Sequence, residues 1–395
     1  MEETNRTWIL RSILIHIINM KSWIDRNAAL AVLGVKAQTL YAYVSRGRIR
    51  MEPDRADARR SLYHAGDIDD LVRRRSRGRK AAAIAAGALS LGEPTIPTGI
   101  STSAKGRLFF KGQDAVALAQ TAPLEHVASL LWEAPIPADL CSRSVAAPDP
   151  FATLARLASS SQPSLGRGRM TLIQDAGLIV GSLANASGAS LDDAPLHQRL
   201  VEGWGCDPTV APKLREALVL MADHDLTAST FAVRVAASTG ASLAACVLAG
   251  LCALSGPRHG GAPAALSQLI AEASRDGVAS TVDRWLNRGA ELPGFGHPLY
   301  PDGDPRAVVM LEGSAIPDHM KRLADAVFAK TGLRPNCDFG LVAISTRFAL
   351  PQNAPFSLFL IGRSVGWCAH AMEQTLSGQL IRPRGRYEGP ALAID

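Results

Sequence analysis

The chain has 395 residues, 47% hydrophobic and 20% charged, which is enough to bury a sizeable core in two or three domains and excludes a disordered or fibrous protein. Aromatics are only 5%, Ala and Leu are abundant, and Val and Ile seldom cluster, so the chain reads as mostly helical. The net charge of +6 is uneven, with +8 in residues 1–80 and −2 in the remainder. That asymmetry points to a basic N-terminal module meeting a polyanion, joined to a near-neutral body. No apolar run reaches the ~18 residues of a membrane span. Cys141, Cys206, Cys246, Cys252, Cys337 and Cys368 are scattered, with no C-x-x-C pair. This is the pattern of reduced thiols in a cytoplasmic protein, and it supports neither a disulfide framework nor a zinc site.

In chain order, the apolar stretch Trp8 to Met20 is interrupted by Arg11 and His16 and is followed by no small-residue cleavage site. It reads as a weak amphipathic helix or as upstream sequence rather than a signal peptide. Met20 directly precedes Lys21-Ser22-Trp23-Ile24, where patterning begins, and is an alternative start. Residues 1–22 are therefore set apart as an extension.

Residues 23–78 read as a compact module. Asn27 to Leu33 forms a short helix, Gly34 a tight turn, and Ala37 to Ser45 a second helix locked onto the first by Leu40 and Val44. This is helix-turn-helix spacing. Lys36, Gln38, Thr39 and Tyr43 are expected to face outward toward a groove, followed by Arg46, Arg48 and Arg50. Arg59-Arg60-Ser61-Leu62-Tyr63 precedes a third helix beginning at Ala65. The module resembles the winged helix-turn-helix of MerR-type regulators, with the segment around Arg60 as the wing. The resemblance implies DNA binding through Lys36, Gln38, Thr39, Tyr43, Arg46 and Arg48. A protein-docking module with a solvated basic face is the other reading. The tract Arg73 to Lys80 adds phosphate contacts or is a solvated linker.

Residues 79–94 are Ala/Gly-rich and read as a linker. Two strands are expected at 95–100 and 106–112, helical patterning at 113–134 and a helix near 150–159. Long helices are expected at 170–187, 211–224, 226–253, 264–275, 278–288, 316–331, 338–349 and 355–377.

Four polar clusters interrupt this helical body: Met221 to Asp225, Ser255 to Gly261, Gly294 to Ala307 and Pro335 to Phe339. Two set a His among glycines and prolines, where Gly admits close backbone approach and Pro fixes the turn. Histidines, a carboxylate and several arginines together suit proton abstraction from carbon near a multiply anionic substrate. The wide spacing gives no usual metal pattern.

These clusters, with Phe356 to Gln374 and Ile381 to Pro390, resemble the citrate synthases from about residue 95 to the C-terminus. The resemblance implies an all-α fold, with a large domain (95–257 and 344–395) and a small one (258–343), working as a homodimer. It implies condensation of acetyl-CoA with oxaloacetate and water to citrate and CoA, without a metal or other cofactor. Asp338 would be the general base, His259 the enol stabiliser and His297 the group that polarises the oxaloacetate carbonyl. His224, Arg306 and Arg363 would hold the dicarboxylate, with Arg382 reaching it from the other subunit.

The same residues serve 2-methylcitrate synthases, which use propionyl-CoA, and one methylene is worth only ~1–3 kcal/mol of discrimination. A DNA-binding regulator whose body senses a ligand is a rival from another class. One departure stands out. Where relatives carry a basic residue four positions after the motif His, this chain has Pro301, and Pro298 follows His297 directly. Arg258 and Arg334, where relatives are usually uncharged, are candidate substitutes for holding the CoA phosphates.

Overall fold

The computed structural model describes residues 23–33, 35, 37–45, 48–54, 57, 60–68, 95–135, 140, 149–191, 193–289, 291–384, 387 and 389–390. Lys36, Arg46, the basic tract at 73–80 and the expected linker lie outside them. Two compact units divide the chain, Met1–Pro97 and Thr98–Asp395.

In the first unit, β1 (Trp23–Asp25) leads into α1 (Arg26–Leu33), α2 (Ala37–Ser45) and the hairpin β2 (Met51–Pro53) and β3 (Ser61–His64). A helical turn follows at 65–68. Asp25 caps α1 by accepting the Ala28 N–H at 2.9 Å. The strands form an antiparallel sheet in the order β1-β3-β2. Ile24, Ala29, Leu33, Leu40, Ile49, Tyr63 and Ile68 build one small core under helices and sheet. Tyr43 departs from the expectation that it faces outward. It lies three residues after Leu40, on the same helix face, and packs against this core.

The second unit opens with a three-stranded antiparallel sheet, β4 (Ser101–Ala104), β5 (Arg107–Phe110) and β6 (Gln113–Asp114). Lys105 and Gly106, both at positive φ, turn the β4–β5 hairpin. The two sheets modify the all-α expectation, and the strand expected at 95–100 begins only at Ser101. The remainder is helical: α3 (Ala115–Thr121), α4 (Leu124–Trp132), α5 (Pro150–Ser160), α6 (Arg169–Ala186), α7 (Leu196–Gly203), α8 (Ala211–Met221), α9 (Ala228–Ser238), α10 (Leu243–Leu254), α11 (Ala262–Asp276), α12 (Val278–Asn287), α13 (Pro305–Leu311), α14 (Asp318–Thr331), α15 (Cys337–Arg347) and α16 (Ala354–Ser377). The single helix expected over 226–253 is two. Gly240, at φ +80°, ends the first, and Ser242 caps the second by accepting the Ala245 N–H.

Two hydrophobic cores organise the unit. The larger gathers α4, α6, α8, α9, α10 and α16 around Trp132, Leu183, Leu218, Leu251 and Trp367. The smaller lies among α11, α12, α14 and α15, around Leu266, Leu269, Val282, Leu323 and Phe339. Except for Arg363, inside α16, the converging candidate site residues sit on turns and helix starts. No helix among the described residues is long and apolar enough to cross a membrane.

Candidate active site

His224 follows the end of α8 in a turn pressed against α16. Gly366 makes that approach possible: its N–H donates to the Ala222 carbonyl at 3.0 Å, and a Cβ there would fall 2.3 Å from the same oxygen. Arg363, one turn earlier on α16, donates Nε to the Met221 carbonyl at 3.0 Å. His224 is buried and shares a hydrogen bond from Nε2 to the Tyr300 hydroxyl at 2.9 Å. Its ring meets that of His297 edge-on at 5.0 Å, and Tyr300 lies 4.9 Å from His297. His259, in the loop between α10 and α11, shares a 2.7 Å hydrogen bond between Nε2 and Ser229 Oγ and stands edge-on to Phe359.

All three imidazoles are held in the uncharged form. Burial, then Arg306 and Arg363, push His224 well below the ordinary value. Burial with Arg363 and Arg306 takes His259 to about 4. Burial with Arg306 takes His297 to about 4. Each can therefore offer an N–H or accept a hydrogen bond near neutrality without carrying a charge.

Arg306 is fixed by Asp304, the N-cap of α13, which accepts Nε at 2.9 Å and Nη2 at 2.8 Å. Its guanidinium also lies over the Tyr300 ring. Arg363 spans from Met221 to Thr227 Oγ1, 3.2 Å from Nη1, and lies over Phe359. Its Nη2 is buried without a hydrogen-bond partner among the described residues. Burial lowers this guanidinium to about 10.

Asp338 stands in the first turn of α15, which Asn336 caps by accepting the Asp338 N–H at 3.0 Å. Its Oδ1 is also buried and unpartnered among the described residues. Burial pushes this carboxyl up to about 7, against the pull of Arg306 and Arg363 and with the help of Asp304. The site thus contains an unpaired donor, an unpaired acceptor and three neutral imidazoles, together with two buried cations. This arrangement suits a small polyanion that undergoes proton transfer at carbon.

Six of the seven residues expected to act together therefore converge: His224, His259, His297, Arg306, Asp338 and Arg363. Arg382 lies exposed beyond α16, with no described contact to the six. Asp304, Tyr300 and Ser229 were not singled out from sequence. For Asp304 a signal was present, since Asp-Pro is a common helix start. Of the two arginines expected near CoA, Arg258 is highly exposed and pairs with Glu291 at 3.0 Å. Arg334 stacks 4.5 Å over Phe328 and lines a cavity of about 260 Å³ with Lys321 and Pro335. In the first unit Gln38 and Arg48 are exposed and Thr39 is half-buried. Arg50 is bound to Asp67 through Nε and Nη2, at 2.9 and 2.8 Å.

Residues 170–384 match the family model described as "Citrate synthase, C-terminal domain". The citrate synthase of Mycolicibacterium smegmatis is 35% identical over 197 residues, 46% of this chain and 52% of that protein. Citrate synthase 2 of Bacillus subtilis is 32% identical over 194 residues, 46% of this chain and 52% of its own length. The chain spans about half the length of these curated relatives. The citrate synthase of Thermoplasma acidophilum, solved as a ternary complex with carboxymethyl coenzyme A and oxaloacetate, shares the fold. It aligns with a TM-score of 0.66 at 24% identity, covering 79% of this chain and 98% of that one.

Proposed function

Since this chain belongs to the citrate synthase family, we propose that it condenses acetyl-CoA with oxaloacetate and water to give citrate and CoA. The observation that carries this reading is the unpartnered pair in one buried site, Asp338 Oδ1 and Arg363 Nη2. One suits a proton acceptor, and the other a carboxylate of the substrate.

In this mechanism Arg306, Arg363 and His224 bind the two carboxylates of oxaloacetate and orient its ketone. Asp338 takes a methyl proton from acetyl-CoA. The electron pair moves onto the thioester oxygen, where His259 donates a hydrogen bond from Nδ1 while Nε2 accepts from Ser229. A carboxylate can deprotonate so weak a carbon acid only against such a pre-placed donor. The enolate carbon then attacks the ketone carbon, His297 passes its N–H proton to the new alkoxide, and the proton held by Asp338 returns through solvent to restore His297. Water cleaves the resulting thioester and releases CoA. Arg382 would complete the dicarboxylate site of the neighbouring subunit in a homodimer.

Purified protein is assayed for free thiol from acetyl-CoA plus oxaloacetate, with propionyl-CoA in parallel. Release dependent on oxaloacetate is expected. Its absence with both thioesters overturns the reading, and preference for propionyl-CoA assigns the 2-methylcitrate reaction instead.

The N-terminal unit favours a second role, duplex DNA binding. Two short helices and an antiparallel hairpin on one core support a winged helix-turn-helix reading, and the basic excess of residues 1–80 supports contact with phosphates. A mobility shift at low salt that weakens steeply with salt is expected. No shift on any duplex tested favours protein docking.

A further inference from the structure

A buried chain of polar side chains runs behind the turn that carries His224, and the mechanism above leaves it unused. Asp223, fully buried, accepts through Oδ2 from the Ser101 hydroxyl and from His370 Nε2, the latter at 3.1 Å. On the far side of the imidazole, Arg234 Nη1 lies 2.8 Å from His370 Nδ1. A guanidinium only donates, so Nδ1 is the acceptor and Nε2 carries the proton aimed at Asp223. Arg234 is held in turn by Glu373 at 2.6 Å and by Gln374 Oε1 at 3.0 Å. Glu373 also accepts the Gly99 N–H at 2.8 Å, two residues before β4.

Several constraints on the turn meet at Asp223. Burial alone would push its carboxyl up, but His370, Arg363 and Ser101 outweigh it, and the group is lowered and stays ionised. Ser101 Oγ also accepts the Asp225 N–H at 2.9 Å, and Asp225 sits in the left-handed region at φ +59°. Two residues along the same strand, Ser103 hydrogen-bonds the Tyr300 hydroxyl at 2.9 Å, and that hydroxyl also meets His224. His224 is therefore fixed from its backbone side through Asp223 and Asp225, and from its ring side through Tyr300.

We propose that His370 and Ser101 are positioning residues for oxaloacetate binding, acting through Asp223 on the turn that presents His224. Neither need touch substrate. The hydrogen bond from His370 sets the Asp223 carboxylate, and the Ser101 hydroxyl ties that carboxylate to the strained residue after His224. The role rests on the functional reading above.

Calorimetry on the full chain with oxaloacetate and no acyl-CoA reads affinity apart from turnover, and thermal melts check folding. His370→Leu removes the donor to Asp223 and is expected to weaken binding by roughly 10–100-fold, as for a lost hydrogen bond to a charged group. His370→Gln, whose amide can donate from near the Nε2 position, is expected to recover most of that loss. Ser101→Ala, a minimal change, is expected to weaken binding in the same direction, and it keeps the test open if His370→Leu fails to fold. Turnover at saturating oxaloacetate is expected to fall much less than affinity. A folded Ser101→Ala chain with unaltered affinity overturns the proposal, as does a His370→Gln chain no better than a folded His370→Leu. Lower melting temperatures with unchanged affinity would make the chain of contacts purely structural and likewise overturn it. If the unsubstituted protein binds no oxaloacetate, the functional reading itself fails and this role falls with it.

Discussion

Asp304 grips Arg306 side-on, accepting Nε at 2.9 Å on one oxygen and Nη2 at 2.8 Å on the other. The second oxygen also accepts the Cys337 N–H at 3.0 Å, so the same carboxylate anchors the start of α15, where Asp338 stands. Asp304→Asn should therefore have two effects. Loss of the grip on Arg306 raises KM for oxaloacetate. Loss of a negative charge near Asp338 lets that carboxyl ionise more easily, so the acid limb of kcat/KM moves to lower pH. A raised KM with an unmoved limb would show that Asp304 acts on Arg306 alone.

Asp338 itself gives a test that links activity to stability. Its carboxyl is pushed up to about 7. As a base it must be ionised, so kcat/KM should rise with pH through about 7, and Asp338→Asn should abolish turnover. The folded state binds this proton more tightly than the unfolded chain. Its contribution to stability is therefore full below the ordinary carboxylate range and is lost as pH rises through about 7. Asp338→Asn should accordingly melt higher than the unsubstituted chain at pH ~8, by clearly less at pH ~5, and little differently only below the ordinary carboxylate range. Equal shifts at both pH values would contradict the burial argument.

The polar clusters were legible because Gly, Pro and His interrupt otherwise apolar helices, and five of the six converging residues fall in such an interruption, the exception being Arg363 inside α16. Their partners were harder to see. Ser101 and Ser103 lie on a short strand more than a hundred residues from Asp223 and Tyr300, and no local period encodes such long-range hydrogen bonds. Tyr43 is the opposite case: its polar hydroxyl suggests the outward face, while its three-residue spacing from Leu40 places it against the core. The break at 239–242 was missed because apolar patterning continues on both sides, although Gly240 marks it.

In the N-terminal unit, Arg50 and Arg48 should behave differently despite their proximity. The hydrogen bond from Arg50, against a smaller opposing effect of burial, holds the Asp67 carboxyl well below its usual range. That depressed value makes the stabilisation present above the ordinary carboxylate range and lost as pH falls through the folded-state value. Arg50→Ala should lower the melting temperature of this unit near neutrality and lose that effect in acid. Arg48, exposed, should instead contribute to DNA affinity, and Arg48→Ala should reduce the salt slope by about one. A loss of stability for Arg48→Ala with DNA affinity intact would reverse the assignment.

Arg382 is exposed beyond α16, with no described contact to the six residues that converge. If it completes a neighbouring subunit's site, chains carrying Arg382→Ala and chains carrying Asp338→Asn should each be inactive alone. Mixed after subunit exchange, they should regain activity, since one site of each hybrid dimer is intact. Confirmed hybrids without activity would remove Arg382 from the site.

The two arginines expected near CoA can now be ranked. Arg258 is highly exposed and pairs with Glu291, a partner that competes for its charge and adds little preorganisation. Arg334 is stacked on Phe328 and lines a cavity with Lys321, so a second cation and an aromatic surface lie beside it. A guanidinium held on a ring keeps its donors free for phosphate and loses less freedom on binding. Arg334→Ala should therefore raise KM for the acyl-CoA more than Arg258→Ala does, and neither should change KM for oxaloacetate much. The Arg334 effect should shrink with a truncated thioester lacking the nucleotide phosphates, because the lost contact is to those groups. Unchanged acyl-CoA kinetics in both variants would mean that nothing replaces the basic residue absent at Pro301, and the chain would then use CoA thioesters only weakly.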